Sequence, residues 1–237
     1  MSDLCLMDFE ALALDFDGTL ASSNGVHTEA RQQAYMMMAE EDPRFGEVSD
    51  EIHGMAYLYG SHPEEINAWI LAQAGIIESA SDVENPQVRE VVSLKNEVYR
   101  KIIAAGLDPQ PGAIEFVRRV FVRRAGKVAI VSTAYPNEVY PYLRRHKIDK
   151  YFPDSRLVLR GHPDVANLKP APDAYQASMD ILNVRKPENL LVIEDSAEGI
   201  ESAKRAGATV VAVATTRSVD ALLDLEGHQQ PDAILRD

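Results

Sequence analysis

The chain has 237 residues, a length that suits one large domain or one domain carrying an insertion, with composition ordinary for a globular protein. Its formal net charge of -13 repels nucleic acid and anionic membranes, so neither is an expected partner and any phosphate ligand depends on local cations. The single cysteine, Cys5, excludes an internal disulfide framework. No stretch approaches the ~20 apolar residues of a membrane helix, and Asp3, Asp8 and Glu10 interrupt the N-terminal stretch where a signal peptide would be apolar, so a cytoplasmic protein is expected.

In chain order, Ala11–Leu14 is a short apolar run that reads as a buried strand. From about residue 23 to 107 helical patterns dominate: residues 28–41, residues 63–74 before Gly75, and Pro86–Ala105 before Gly106. No comparable strand signal occurs there. The texture then changes. Ala113, Ile114, Phe116, Val117, Val120 and Phe121 fall at helical spacing, with Gly126 as a stop signal, and Val128–Val131 follows as a β-branched strand. A helix starts near Pro136, residues 157–159 form a strand, and Pro170 and Pro172 open a helix running to Ile181. Residues 190–193 are another strand, Ser196 is placed to cap the next helix, Gly207 to end it, and Thr209–Val213 is a further strand.

Strands without polar alternation, separated by single helices, imply a parallel sheet covered on both faces. The expected fold is therefore α/β: a Rossmann-like, doubly wound core over residues 1–22 and 108–237, with an all-helical domain inserted over residues 23–107. Oligomeric state, monomer or homodimer, is left open.

Asp15 and Asp17 follow the first strand, at the carboxyl end where open α/β sheets place ligands. Their i, i+2 spacing lets both face one side, and Gly18 permits a tight turn, although Asp-Gly is also a common turn dipeptide. Glu194 and Asp195 follow residues 190–193 and so belong to the same edge, unless they are merely solvated loop acids. Four carboxylates that close cannot all stay ionised without cations among them, and a hard ion such as Mg²⁺ meets that need. Lys169, before a proline-opened helix, offers an ammonium near that edge, or is only a loop lysine. Ser132 and Thr133 end the strand Val128–Val131, where a hydroxyl and a backbone N–H can donate to phosphoryl oxygens.

Together, Asp15-Phe16-Asp17-Gly18-Thr19-Leu20, Val131-Ser132-Thr133, Leu168-Lys169-Pro170 and Ile193-Glu194-Asp195-Ser196 with Gly199-Ile200 resemble the haloacid dehalogenase superfamily, phosphatase type. The helical insertion is similar to the small cap domain of the subgroup containing beta-phosphoglucomutase. The resemblance implies a Mg²⁺-dependent enzyme that removes phosphate from a small soluble phosphate monoester. Asp15 is the implied nucleophile, which becomes an aspartyl-phosphate, and Asp17 the general acid and then base. The implied Mg²⁺ ligands are Asp15, the backbone carbonyl of Asp17, and Asp195, with Glu194 acting directly or through water. Ser132 and Lys169 are implied to hold the phosphoryl group, with Thr133 contributing at most its backbone N–H.

Within the superfamily, Asp17 argues against dehalogenation, since a departing halide needs no proton. The absence of lysine from Asp42 to Trp69 argues against Schiff-base chemistry. His27, twelve residues after Asp15, corresponds to a histidine found in both mutase and phosphatases. His53 lies in Ile52-His53-Gly54-Met55-Ala56-Tyr57, where the mutase carries basic residues and this chain has neither Lys nor Arg, which favours a phosphatase over a phosphomutase. His27 and His53 are the expected substrate residues. Tyr57, Tyr59, His62 and Trp69 are weaker ones, Trp69 reading as core. A non-catalytic receiver-like phospho-acceptor is the third reading; the Asp-x-Asp on the first strand and the large insertion count against it.

Overall fold

The structure, a computed structural model, describes residues 8–55, 62–123 and 126–235. Cys5, Tyr57 and Tyr59 lie outside the described residues. The chain divides into two compact units, residues 1–22 with 106–237 and residues 23–105.

The first unit is built on a six-stranded parallel sheet of order β3-β2-β1-β4-β5-β6. The strands are β1 (Ala11–Leu14), β2 (Val128–Val131), β3 (Leu157–Val158), β4 (Leu190–Glu194), β5 (Thr209–Val213) and β6 (Ala233–Leu235). The helices of this unit are α5 (Ala113–Arg123), α6 (Pro136–Arg145), α7 (Asp173–Leu182), α8 (Ala197–Arg205) and α9 (Val219–Leu223). The strands β1, β2 and β4 are buried along their whole length, as expected when helices cover both faces. Alternate residues share a face. Ala11, Ala13, Ala129, Val131, Leu190, Val192, Val210 and Ala212 pack in one core with Tyr175 and Met179 of α7 and Ile200 and Ala203 of α8.

β1 lies between β2 and β4, with Leu14 opposite both Ile130 and Ile193. The chain winds outward from β1 through β2 to β3, then returns to the other side of β1 for β4, β5 and β6. The winding direction thus reverses between β1 and β4, and a crevice opens at the carboxyl ends of strands at such a point. The edge strand β6 is partly exposed and only three residues long, Ala233-Ile234-Leu235, an apolar run too short to read as a strand from the sequence. β3 is one residue shorter than its apolar run.

The second unit holds α1 (Asn24–Met38), α2 (Asp50–Met55), α3 (Pro63–Gln73) and α4 (Pro86–Ala105), with no strand among its described residues. The helix α1 starts four residues earlier than its periodicity suggests and so includes His27. Tyr35, Phe45, Ile66, Ile70, Leu71, Val88 and Val91 form the unit's core, and Trp69 packs half-buried against it.

Two histidines of this unit are held by its own side chains. Arg31 of α1 donates from Nε to His53 Nδ1 (3.3 Å) and from Nη2 to the His53 carbonyl (2.7 Å), while Tyr35 meets the ring edge-on at 4.9 Å. His27 stacks on Tyr99, centroids 4.2 Å apart, with the Lys95 ammonium 3.0 Å from its Nδ1. Burial, then Lys95 and Arg31, lowers the His27 pKa to about 3, and burial, then Arg31, lowers that of His53 to about 4. Both rings are therefore neutral in the folded unit but protonate near 6.5 when unfolded. Their contribution to stability is complete above that pH and is lost as pH falls toward about 4 and about 3. Thermal melts between pH 6.5 and 4 should show a steeper loss for the parent than for His53→Gln; equal slopes would refute the assignment.

Candidate active site

Period-two geometry explains how the site assembles. Asp15 continues the face of Ala11 and Ala13, and Glu194 that of Leu190 and Val192, so both acids belong to the face covered by α7. The amide of Asp15 donates to the Ile193 carbonyl (3.0 Å), extending the β1–β4 ladder to the point where the chain turns. The turn depends on Gly18, whose φ of 74° is left-handed. Its amide donates to the Ala21 carbonyl (2.8 Å), and the Leu20 amide donates to the Phe16 carbonyl (2.9 Å). The half-buried Asp17 therefore sits within a short hydrogen-bonded loop beside Asp15.

At the centre is Lys169, buried to 7% side-chain exposure. Its ammonium donates to Asp15 Oδ1 (2.6 Å), Glu194 Oε1 (2.6 Å) and the Val131 carbonyl (3.0 Å), and it stands 5.0 Å from the Tyr175 ring centroid. One point charge thus gathers the ends of β1, β2 and β4, using every N–H that an ammonium has. Burial disfavours its charge, yet Asp15 and Glu194 hold its pKa well above the ordinary lysine value.

Glu194 is fully buried and fully engaged. Oε1 accepts from Lys169 and from the Tyr175 hydroxyl (2.9 Å). Oε2 accepts from the amides of Asp195 (3.0 Å) and Ser196 (3.2 Å) and from the Ser196 hydroxyl (3.1 Å). Burial alone would raise its pKa; the ammonium and these donors lower it instead. Ser196 also caps α8 by accepting from the Gly199 amide (3.1 Å), as the sequence suggests. Asp195 accepts from the Thr216 hydroxyl. Ser132 is buried; its amide donates to the Val158 carbonyl (2.9 Å) and its Oγ accepts from the Ala134 amide (3.0 Å). The Thr133 carbonyl accepts from Arg160 Nε (2.9 Å).

Asp15, Glu194 and Asp195 each present a carboxylate oxygen, all within 4.8 Å of one another. Three buried acids against one ammonium leave surplus negative charge. It shows in Asp15, whose pKa burial and Glu194 raise well above the carboxylate range despite Lys169. An all-oxygen donor set with that surplus fits a hard divalent cation.

A family model for haloacid dehalogenase-like hydrolases matches residues 9–207, the span from before β1 to the end of α8. The chain belongs to that family. This haloacid dehalogenase-like hydrolase is 30% identical over 200 residues to a phosphorylated carbohydrates phosphatase of Thermotoga maritima, covering 84% of this chain and 82% of the relative. Among solved structures it resembles a family IA, variant 3 hydrolase from Entamoeba histolytica, at a TM-score of 0.70 and 20% identity over 95% of this chain and 92% of the other. It also resembles a mutant CbbY from Rhodobacter sphaeroides in complex with xylulose-(1,5)bisphosphate, at a TM-score of 0.65 and 21% identity over 96% and 93% of the two chains. The chain is therefore an enzyme, and the receiver-like reading falls away.

Of the residues read from sequence, the structure brings Asp15, Lys169, Glu194 and Asp195 together and puts Ser132 at the end of the adjoining strand. His27 and His53 belong to the helical unit, where both are held by that unit's own side chains. Arg31 places a guanidinium against His53 that the run around His53 does not contain. Sequence reading missed Tyr175, which looks like an ordinary core residue of an amphipathic helix. It also missed Thr215 and Thr216, although they follow β5 as Ser132 and Thr133 follow β2; the Thr215 hydroxyl donates to the Gly18 carbonyl (2.6 Å).

Gly199 is required because a Cβ there would overlap the Glu194 carboxylate. Gly199→Ala should cost the hydrolase ~1–3 kcal/mol through overpacking and lower turnover by displacing Glu194 and hence Lys169. Urea denaturation and turnover measured together check this; an unchanged midpoint would refute it.

Proposed function

We propose that this hydrolase removes phosphate from a small, soluble phosphorylated carbohydrate or similar metabolite, with Mg²⁺, through an aspartyl-phosphate. The observation that carries the reading is the Lys169 ammonium buried between Asp15 and Glu194, with Asp195 beside them. The similarity to the Thermotoga maritima phosphatase supports the substrate class.

In this mechanism a carboxylate oxygen of Asp15 attacks the phosphorus and the ester oxygen leaves. Asp17 protonates that oxygen, then removes a proton from the water that hydrolyses the aspartyl-phosphate. The Ser132 hydroxyl and the Thr133 amide hold the phosphoryl oxygens, and Lys169 offsets the charge that spreads over them, its donor to Asp15 passing to the phosphoryl group as Asp15 is consumed. Asp15 must be ionised to attack. The bound cation would stabilise that form and neutralise phosphoryl charge. Asp15, the Asp17 carbonyl and Asp195 would hold it. Glu194 accepts from five donors, more than a carboxylate's lone-pair sites, so we assign it to orienting Lys169 rather than to the metal.

We further propose that residues 23–105 act as a cap that selects the substrate, with His27 as a selecting residue and the expected role of His53 corrected to a buried one that fixes Arg31. The lone cysteine suits a reducing compartment, and we place the enzyme in the cytoplasm.

A panel of phosphorylated metabolites and a generic aryl phosphate tests the reading. Phosphate release should stop on chelation and return with added Mg²⁺. Asp15→Asn should abolish it, and Asp17→Asn should lower it ~10²–10⁴-fold. Metal-independent turnover, or full activity in Asp15→Asn, would overturn it.

A further inference from the structure

The loop that begins at Ser132 holds a guanidinium for which the proposed reaction has no use. Arg160 lies just beyond β3, at the same carboxyl edge of the sheet as Asp15. Its amide donates to the Ala134 carbonyl (3.1 Å), its Nε to the Thr133 carbonyl (2.9 Å) and its Nη1 to the Tyr135 hydroxyl (3.3 Å). The guanidinium lies over the Tyr135 ring, with Cζ 4.9 Å from the centroid. Backbone and side chain are thus clasped to one short segment, Thr133-Ala134-Tyr135.

That segment adjoins the reacting groups. The Val131 carbonyl accepts from the ammonium that holds Asp15, and two residues of chain span at most ~7 Å, so the Thr133 carbonyl that anchors Arg160 is close by. Among the described residues no carboxylate pairs with Arg160. A half-buried guanidinium fixed by a carbonyl, a hydroxyl and an aromatic face is oriented without being neutralised, and most of its N–H donors stay available. In a chain of net charge -13, a cation so placed gives an anion a local reason to bind.

We propose that Arg160 is a specificity-determining residue. It grips a second anionic group, phosphate or carboxylate, on the leaving-group side of the substrate, so the preferred substrates are doubly anionic phosphate esters. This rests on the phosphatase reading above. A planar fork meets either anion in a bidentate way, which an ammonium does not.

The test compares kcat/KM of the full chain with Mg²⁺ for a hexose monophosphate, the matching hexose bisphosphate and the matching phosphorylated sugar acid. The parent should prefer one doubly anionic ester, and which one identifies the anion. Arg160→Met should shrink that preference ~10–100-fold, and Arg160→Lys should retain part of it. The ratio within each variant corrects for any loss of folded protein. A parent without preference, or an Arg160→Met that slows all three esters equally, would overturn the proposal while leaving the phosphatase reading intact. Turnover of no phosphate ester at all would sink both.

Discussion

A buried ammonium is expensive to desolvate unless its surroundings replace water completely, and the core unit is arranged around doing so for Lys169. Its acceptors come from three strands: a carboxylate after β1, a carbonyl at the end of β2 and a carboxylate at the end of β4. Those strands are neighbours because the winding reverses at β1, which places two outgoing chain ends side by side. Removing the ammonium would leave Asp15 and Glu194 as buried acids with no cation between them. The same contacts that complete the fold therefore create the charged centre.

Glu194 shows how such a centre is held at fixed geometry. Its backbone still belongs to the β4 ladder, opposite Ala212, so its position is set by the sheet. Its carboxylate closes the start of α8 through the Asp195 and Ser196 amides and reaches α7 through Tyr175. The absent side chain at Gly199 makes room for it. Lys169 is thereby oriented by a group that is itself immobilised, and Asp15 and Asp195 are left as the acids with capacity for a cation. This division of work among three nearby carboxylates follows from counting donors.

The helical unit uses its polar interior differently. His27 and His53 are kept neutral by burial and by adjacent cations, Lys95 and Arg31, so each ring is an uncharged hydrogen-bonding group at neutral pH. Arg31 shows how a basic group reaches a place where the local sequence has none: it comes from α1, the helix that precedes α2 and packs against it. The absence of Lys and Arg between Ile52 and Tyr57 is thus a weaker argument about substrate charge than it is in the sequence alone. Arg160 makes the same point in the core unit.

The sequence by itself determined the sheet-building strands β1, β2, β3, β4 and β5, because a strand buried on both faces needs an uninterrupted apolar run. It also determined that Asp15, Lys169, Glu194 and Asp195 share one edge, because parallel strands put all their carboxyl ends on the same side. Only the tertiary structure decided what each of these groups touches. The bonds of Lys169 and the Tyr175 hydroxyl to Glu194, the Thr216 contact to Asp195 and the placement of Arg31 and Arg160 join residues well separated in the chain. No periodicity encodes such pairings. Edge strand β6 was hidden for a different reason: its apolar run is only three residues long, Ala233-Ile234-Leu235, too short to carry a period.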